Sequence, residues 1–516
     1  MPRMVGTPEP DWDKVGKKSD VRDKEKVSQK LLEVGRCAEM FMDELGSPCA
    51  FVERDGSKEV LRMRSVKYEQ WLAYRYYEET KKLVNTESLR SARRALEFEA
   101  CHSGKKIKLA TRFACRRGSL SAVTVLIDSL QLQRTIYIYI SKKDKDGGRP
   151  TDPIFQRFDH QRPLPIPEAG GHVSDILQFL NVKNEDDKLL ILVWLVTAMI
   201  ADIPRPILCL HGPQGSAKTT AAKFIREVLD PSEIMTCTPK NAQAEWAQVL
   251  NEHAVPIFDN LRRIQPWQEE ILTKAVTGDG FAKRALYTDS DSVIMRYQRA
   301  IILTAINIPT SQPDLLDRFL LVELERVSPT KRKTELALRQ KYEALKPKIF
   351  GAMLKALSRA LPNVGKMKHV RSPRMADFAV HGCAVAKALG FTEKKFLDAF
   401  ARNAQRQHEA VVEAEPISRL LSEHLQTTPK WSGTAAELQT ILRGLAPENN
   451  VPVCLWPAAV AAFSRHVREL QATLIDNGIA VKFGHRGKGL DSRRTIELCK
   501  VSREEKKPCR RARKRN

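Results

Sequence analysis

Gly212-Pro-Gln-Gly-Ser-Ala-Lys-Thr-Thr220 is the stretch that decides the fold. An apolar run, Pro206-Ile-Leu-Cys-Leu-His211, stops at Gly212, and Ala221-Ala-Lys-Phe-Ile-Arg-Glu-Val-Leu229 follows with helical character. Strand, glycine-rich loop and helix in that order make a phosphate-binding loop. Backbone N–H groups along Gly212, Pro213, Gln214, Gly215, Ser216, Ala217, Lys218, Thr219 and Thr220 are expected to cradle nucleotide phosphates at the helix start. Proline contributes position and no N–H. Lys218 is expected to reach the β- and γ-phosphates and Thr219 to hold Mg²⁺. The consensus glycine before the lysine is Ala217, small enough for a helix start.

Three further strand ends follow in order. Ala254-Val-Pro-Ile-Phe258 ends in Asp259, where a Mg²⁺-water ligand belongs. Ala300-Ile-Ile-Leu-Thr-Ala-Ile306 ends in Asn307, whose amide is placed to orient an attacking water. Asp317-Arg318 precedes the run Phe319-Leu-Leu-Val322, and an arginine there is placed to cross a subunit boundary and stabilise phosphoryl charge. Each alone reads as an ordinary strand end, and the ordered set of four between Gly212 and Val322 carries the argument.

This compact core resembles the superfamily 3 helicases of viruses, phages and plasmids, within the AAA+ class. In the poxvirus- and phage-type primase-helicases of that group the acidic strand is followed by a stretch with an arginine-leucine-tyrosine signature. Val276-Thr-Gly-Asp-Gly280 and Lys283-Arg284-Ala285-Leu286-Tyr287 are similar to it. The resemblance implies that Thr288 to Arg296 is a hairpin gripping DNA in a ring's pore, with Lys283, Arg284 and Arg296 touching DNA. Ser372-Pro-Arg-Met-Ala-Asp-Phe378 and Trp431-Ser-Gly-Thr434 resemble motifs of ATP-binding proteins carried by bacterial mobile elements. The likeness covers roughly Pro163 to Leu498. It implies an ATP- and Mg²⁺-dependent DNA helicase or translocase, a ring oligomer such as a hexamer, and possible work with a separate primase. One departure stands out. Many AAA+ ATPases follow the Mg²⁺ aspartate with a glutamate base, and here Asn260 stands there. Asparagine orients water and accepts no proton, and nothing in the sequence locates Glu269 or Glu270 near the γ-phosphate.

Size and charge fit that picture. A chain of 516 residues accommodates three domains. With 86 Lys and Arg against 62 Asp and Glu, the formal charge is +24, which suits a polyanionic partner, nucleic acid first. The most hydrophobic run, Leu189 to Ala201, has thirteen residues, short of the ~20 that span a membrane. It reads as a buried helix beside the sheet, and no membrane partner is expected. Ten cysteines without a CxxC pair read as ordinary thiols of a reducing cytoplasm, with no structural zinc.

The expected class is α/β, a P-loop AAA+-like core of parallel sheet flanked by helices. Residues 1–30 read as a disordered charged tail, 31–141 as an N-terminal α+β domain and 142–171 as a Gly- and Pro-rich linker. The core is assigned to 172–326 and a helical lid to 327–414, with Arg374 read as a surface ion-pairing residue ahead of a second phosphate-facing arginine. Residues 415–501 read as a winged helix with helices at Ile417–His424, Thr434–Arg443 and Ala458–Leu474 and strands at Ile479–Phe483 and Thr495–Leu498. Arg465 and Arg468 on the third helix are candidate groove contacts, and Arg486, Lys488, Arg493 and Arg494 make a basic wing. A winged helix used for protein contacts is the alternative. Residues 502–516, with eight basic and two acidic groups, read as a disordered, DNA-seeking tail. Two functions stay open: a DNA motor in the replication of a mobile element, and a non-motor ATP switch regulating replication or partition, which Asn260 favours.

Overall fold

The computed structural model describes residues 17–54, 57–117, 123–129, 134–138, 154–238, 242–284, 292–310, 312–328, 334–367, 375–414, 416–446, 459–476, 478–486 and 493–500. The 502–516 tail, Lys488 and Arg374 lie outside them.

The strand that precedes the glycine-rich loop, Ile207–His211, sits inside a parallel sheet. Strand order across it is Ile257–Phe258, Ile302–Ala305, Ile207–His211, Phe319–Glu323. Cys237 forms a further parallel bridge outside Phe258. These strands are mostly apolar because helices cover both faces. Side-chain alternation sorts them between two cores. Leu208, Leu210, Ile302, Leu320 and Val322 face one, and Ile207, Cys209, Leu303, Phe319 and Leu321 face the other. The first core receives the helix Glu185–Thr197, buried from Leu189 to Thr197. Asn184 caps that helix by accepting from the Asp186 N–H at 2.8 Å. Among the described residues, no helix is long and apolar enough to cross a membrane.

After the sheet come the helices Glu335–Val364, Ala376–Ala388 and Glu393–Ala414. The last of them closes the sheet's outer edge. Asn403 accepts from the Leu321 N–H at 3.0 Å and donates to the Leu321 carbonyl at 2.6 Å, and Gln407 donates to the Phe319 carbonyl at 2.6 Å. Side-chain amides thus stand in for the missing neighbour strand.

The N-terminal part packs the helices Lys17–Gly35, Val66–Thr80 and Thr86–His102 on a four-stranded sheet, with Leu31, Val34, Tyr68, Leu72 and Leu96 in its core. The first helix starts at Lys17, inside the stretch assigned to a disordered tail. Its many Lys and Glu residues are good helix formers, and its last turns bury Leu31 and Val34. The linker assignment also fails from Ile154 onward. Ile154–Phe155 pairs in parallel with Leu109–Ala110, and the Glu168 N–H donates to the Pro347 carbonyl at 3.1 Å. Gly351 permits this contact, because a Cβ there would lie 2.1 Å from the Glu168 carbonyl oxygen. Gly171 allows the same approach from the segment's side, since a Cβ there would lie 2.6 Å from the Lys348 carbonyl oxygen.

The C-terminal part has the helices Pro416–Thr427, Ala435–Leu445, Val460–Glu469 and Gln471–Asp476. Its antiparallel sheet has the order Lys430–Thr434, Arg493–Lys500, Ile479–Arg486. The single third helix expected from the sequence is divided at Leu470. The strand Lys430–Thr434, unforeseen in the sequence, ends where Thr434 caps the next helix in a reciprocal box with Glu437.

Candidate functional site

Helix Lys218–Leu229 begins directly after the glycine-rich loop, so its free N–H groups face the sheet's C-terminal edge. Backbone φ is +145° at Gly212 and +82° at Gly215. Gly212 is sterically required, since a Cβ there would sit 2.3 Å from the Leu324 carbonyl oxygen. Ala217 also adopts a left-handed conformation, φ +59°, at a cost of about 1–2 kcal/mol for a residue with a Cβ. This is the position at which the phosphate-loop pattern calls for glycine.

The Lys218 ammonium lies over the loop, donating to the Gly212 and Pro213 carbonyls at 2.9 Å each and to Ser216 Oγ at 3.3 Å. Partial burial holds its pKa below the usual lysine value, and nearby Asp259 pulls the other way. Thr219 and Asp259, forty positions apart, are brought together, Thr219 Oγ1 donating to Asp259 Oδ1 at 2.9 Å. A hydroxyl and a carboxylate oxygen are the hard donors Mg²⁺ takes, with water and phosphate oxygens filling its other positions.

A residue not singled out from the sequence completes this corner. Thr304 Oγ1 donates to Asp259 Oδ1 at 2.5 Å and accepts from the Asn260 N–H at 2.8 Å. Asn260 itself is exposed, with φ +57°. Thr304 lies in the middle of an apolar run, which hid it. Arg326 is a second such residue. Its side chain runs alongside the loop, Nε 3.9 Å from where a Gly215 Cβ would be, while the Val327 N–H donates to the Gly215 carbonyl.

Asn307 is exposed just beyond the strand Ile302–Ala305, at the same sheet edge, with the Ile306 carbonyl accepting from the Gly212 N–H at 3.2 Å. Glu269 is held elsewhere: Thr310 Oγ1 donates to it at 2.7 Å, and burial raises its pKa against that bond and Arg263. Arg318 is not brought to the loop of its own chain. It precedes the strand Phe319–Glu323, and its carbonyl accepts from the Ile207 N–H at 2.7 Å. The parallel register pairs Ile207 with Phe319 and His211 with Glu323. Arg318 is thus at the opposite sheet edge, roughly 16 Å from the loop by strand rise. Its guanidinium pairs with Asp314 at 2.9 Å.

Two basic regions are separate from this corner. Gly280–Arg284 and Ser292–Arg296 form an isolated antiparallel ribbon, with Gly280 opposite Arg296 and Arg284 opposite Ser292. Lys283 and Arg284 lie on its first strand. In the C-terminal part, exposed Arg465 and Arg468 share the helix Val460–Glu469. The Arg468 guanidinium lies 4.6 Å from the centre of the Phe483 ring, a cation–π contact. Arg468 and Arg494 line one groove of about 340 Å³ with Ser464, Phe483 and Thr495. Arg486 stands opposite Arg493 at the end of the same ribbon of strands.

Two family models match the chain. The actinomycete integrative conjugative element replication protein model matches residues 173–403, and the C-terminal domain model of the same replication protein matches 415–510. Comparison with the curated proteins gave no match. Among solved structures, "SCCmec type IV Cch - active helicase" aligns at 11% identity and TM-score 0.45, over 90% of this chain and 93% of that one. The apo NrS-1 C-terminal region aligns at 13% identity and TM-score 0.41, over 92% and 99%.

Proposed function

The chain belongs to the replication proteins of actinomycete integrative conjugative elements, and from that premise we propose that it is an ATP-dependent DNA helicase or translocase working as a ring oligomer. The observation that carries this reading is the corner formed by Lys218, Thr219, Asp259 and Thr304 at the mouth of a glycine-rich loop. Loop N–H groups and Lys218 bind the nucleotide phosphates, while Thr219 and Asp259 hold Mg²⁺, which supplies charge neutralisation to the transferred phosphoryl group. Asn307 orients water at the same edge. Arg318, remote from its own loop, belongs to the site of a neighbouring copy, which is the reason for proposing an oligomer. The two-stranded ribbon carrying Lys283, Arg284 and Arg296 moves DNA. The C-terminal part acts as a winged helix, with Arg465, Arg468 and Arg494 against DNA.

A second reading rests on Asn260. With no carboxylate after Asp259 and Glu269 bonded to Thr310, proton acceptance is weak, which suits an ATP switch that assembles on DNA and is reset by slow hydrolysis. ATP turnover measured with and without single-stranded DNA separates the two, with Lys218→Ala as control. Strong stimulation that the variant lacks supports the motor. Tight ATP binding with the same slow turnover whatever DNA is added supports the switch.

A further inference from the structure

A cavity of about 570 Å³ lies between the N-terminal part, the core and the root of the two-stranded ribbon. Its basic lining comes from three places in the sequence: Lys108 and Arg112, Arg205, and Arg296 and Arg299. The acids facing it are Glu44 and Asp202. Asp202 is engaged by Lys108 at 2.9 Å, and Asp230, behind the wall, is engaged by Arg112 at 3.0 Å.

Three wall side chains are nine-tenths or more buried and carry a donor without a hydrogen-bond partner among the described residues. They are Arg205 Nε, Arg112 Nη1 and the Tyr297 hydroxyl. Buried donors in proteins are almost always satisfied, and buried cations are paired. Among the described residues, Arg205 has only the Ala198 and Ile200 carbonyls, and Arg299 only carbonyls and the Thr111 hydroxyl. Burial pushes both guanidinium pKa values down to about 10, against the pull of Asp202 on Arg205 and of Asp230 on Arg299, and among the described residues neither guanidinium is hydrogen-bonded to a carboxylate.

We propose that this cavity is a phosphate-binding site, taking the phosphodiester backbone of a nucleic-acid strand that passes the root of the ribbon. Phosphate chemistry fits because guanidinium forks and a phenol donate to an oxyanion, and none of them accepts from it. A strand is favoured over a small anion by position. Arg296 pairs with Gly280 in the ribbon and donates to the Gly278 carbonyl at 3.2 Å, so a bound phosphate links ribbon, core and N-terminal part. The choice of a strand as source rests on the function proposed above, and the phosphate site does not.

The test uses the full chain carrying Lys218→Ala throughout, so that phosphate binding at the nucleotide loop is weakened and is the same in every version compared. Inorganic pyrophosphate and a short oligothymidylate are titrated into this protein and into versions adding Arg205→Gln or Lys108→Glu. Arg205→Lys and the melting temperature without ligand report on folding. The site predicts about tenfold weaker pyrophosphate binding in both added variants, with Arg205→Lys partly restoring it. A strand in the site further predicts weaker oligothymidylate binding and a salt slope smaller by ~0.7 per lost contact. Loss of pyrophosphate binding with unchanged oligothymidylate binding keeps the phosphate site and overturns the strand. Unchanged binding of both probes by well-folded variants overturns the site.

Discussion

Thr304→Val tests the corner around Asp259 with minimal change in shape. The threonine hydroxyl makes two bonds there, donating to Asp259 Oδ1 and accepting from the Asn260 N–H. Its removal takes one of two hydroxyl donors from the carboxylate, since Thr219 remains. A hydrogen bond to a charged group is worth about 1.5–3 kcal/mol. The Asn260 N–H adds little to the loss, because that residue is exposed and water can replace the partner. Losing a group that orients a metal ligand lowers metal affinity by about 10–100-fold, which matches that energy. The assay is the Mg²⁺ dependence of ATP hydrolysis and of fluorescent-ATP binding. Thr304→Val is expected to raise the Mg²⁺ midpoint at least about tenfold, and Thr304→Ser to stay near the parent. A Thr304→Val protein with the parental Mg²⁺ midpoint refutes the role given to this hydroxyl.

Arg318→Ala is expected to bind ATP as the parent does and to lose hydrolysis by about 10³-fold or more, read by equilibrium binding beside turnover. Mixing it with Lys218→Ala should restore part of the activity, because some shared sites then hold an intact loop and an intact arginine. Asp230→Asn leaves two fully buried guanidiniums, Arg112 and Arg226, short of a countercharge. It also confronts the Ala254 and Val255 N–H groups with an amide in place of a carboxylate. Breaking such a pair costs about 3–5 kcal/mol, a fall in melting temperature of roughly 10 °C. Burial raises the Asp230 pKa, but Arg112, Arg226 and the Val255 N–H overcome it and hold the value below the usual one. The stability it contributes is complete above the unfolded value of about 3.9 and is lost as pH falls through the lower folded value. The gap between parent and variant should therefore close below about pH 4, as thermal melts across pH will show. Arg468→Ala and Arg494→Ala should each weaken duplex binding and reduce its salt slope by about 1, measured by anisotropy over a salt series.

Much of the core was legible because its signals are local. The loop Gly212–Thr220 is contiguous, and the strands at Ile257, Ile302 and Phe319 are apolar runs ended by a polar residue. Thr304 escaped notice because one threonine inside Ile-Ile-Leu-Thr-Ala looks like strand filling. Its meaning appears only when the parallel register sets Ile302–Ala305 between the strands that carry Asp259 and Gly212. Asp230 was equally silent, since its partner Arg112 is 118 positions away. Composition misled at residues 154–171, where prolines and glycines suggested a linker and the backbone instead pairs with Leu109–Ala110 at one end and packs on the helix Glu335–Val364 at the other. It also misled at Lys17–Lys30, where dense charge hid a helix whose last turns bury Leu31 and Val34. In the C-terminal part the first two helix-like stretches fall on the helices Pro416–Thr427 and Ala435–Leu445, and the third is divided at Leu470. The short edge strand Lys430–Thr434 carries too little alternation to be recognised.

The most direct test of the account is strand displacement from a tailed duplex with ATP and Mg²⁺, comparing the parent with Lys218→Ala and Arg318→Ala. A nucleotide-driven ring motor predicts displacement by the parent and none by either variant, although both still bind the duplex. Failure of the parent to displace a strand, while it binds ATP and the duplex tightly, would contradict the motor.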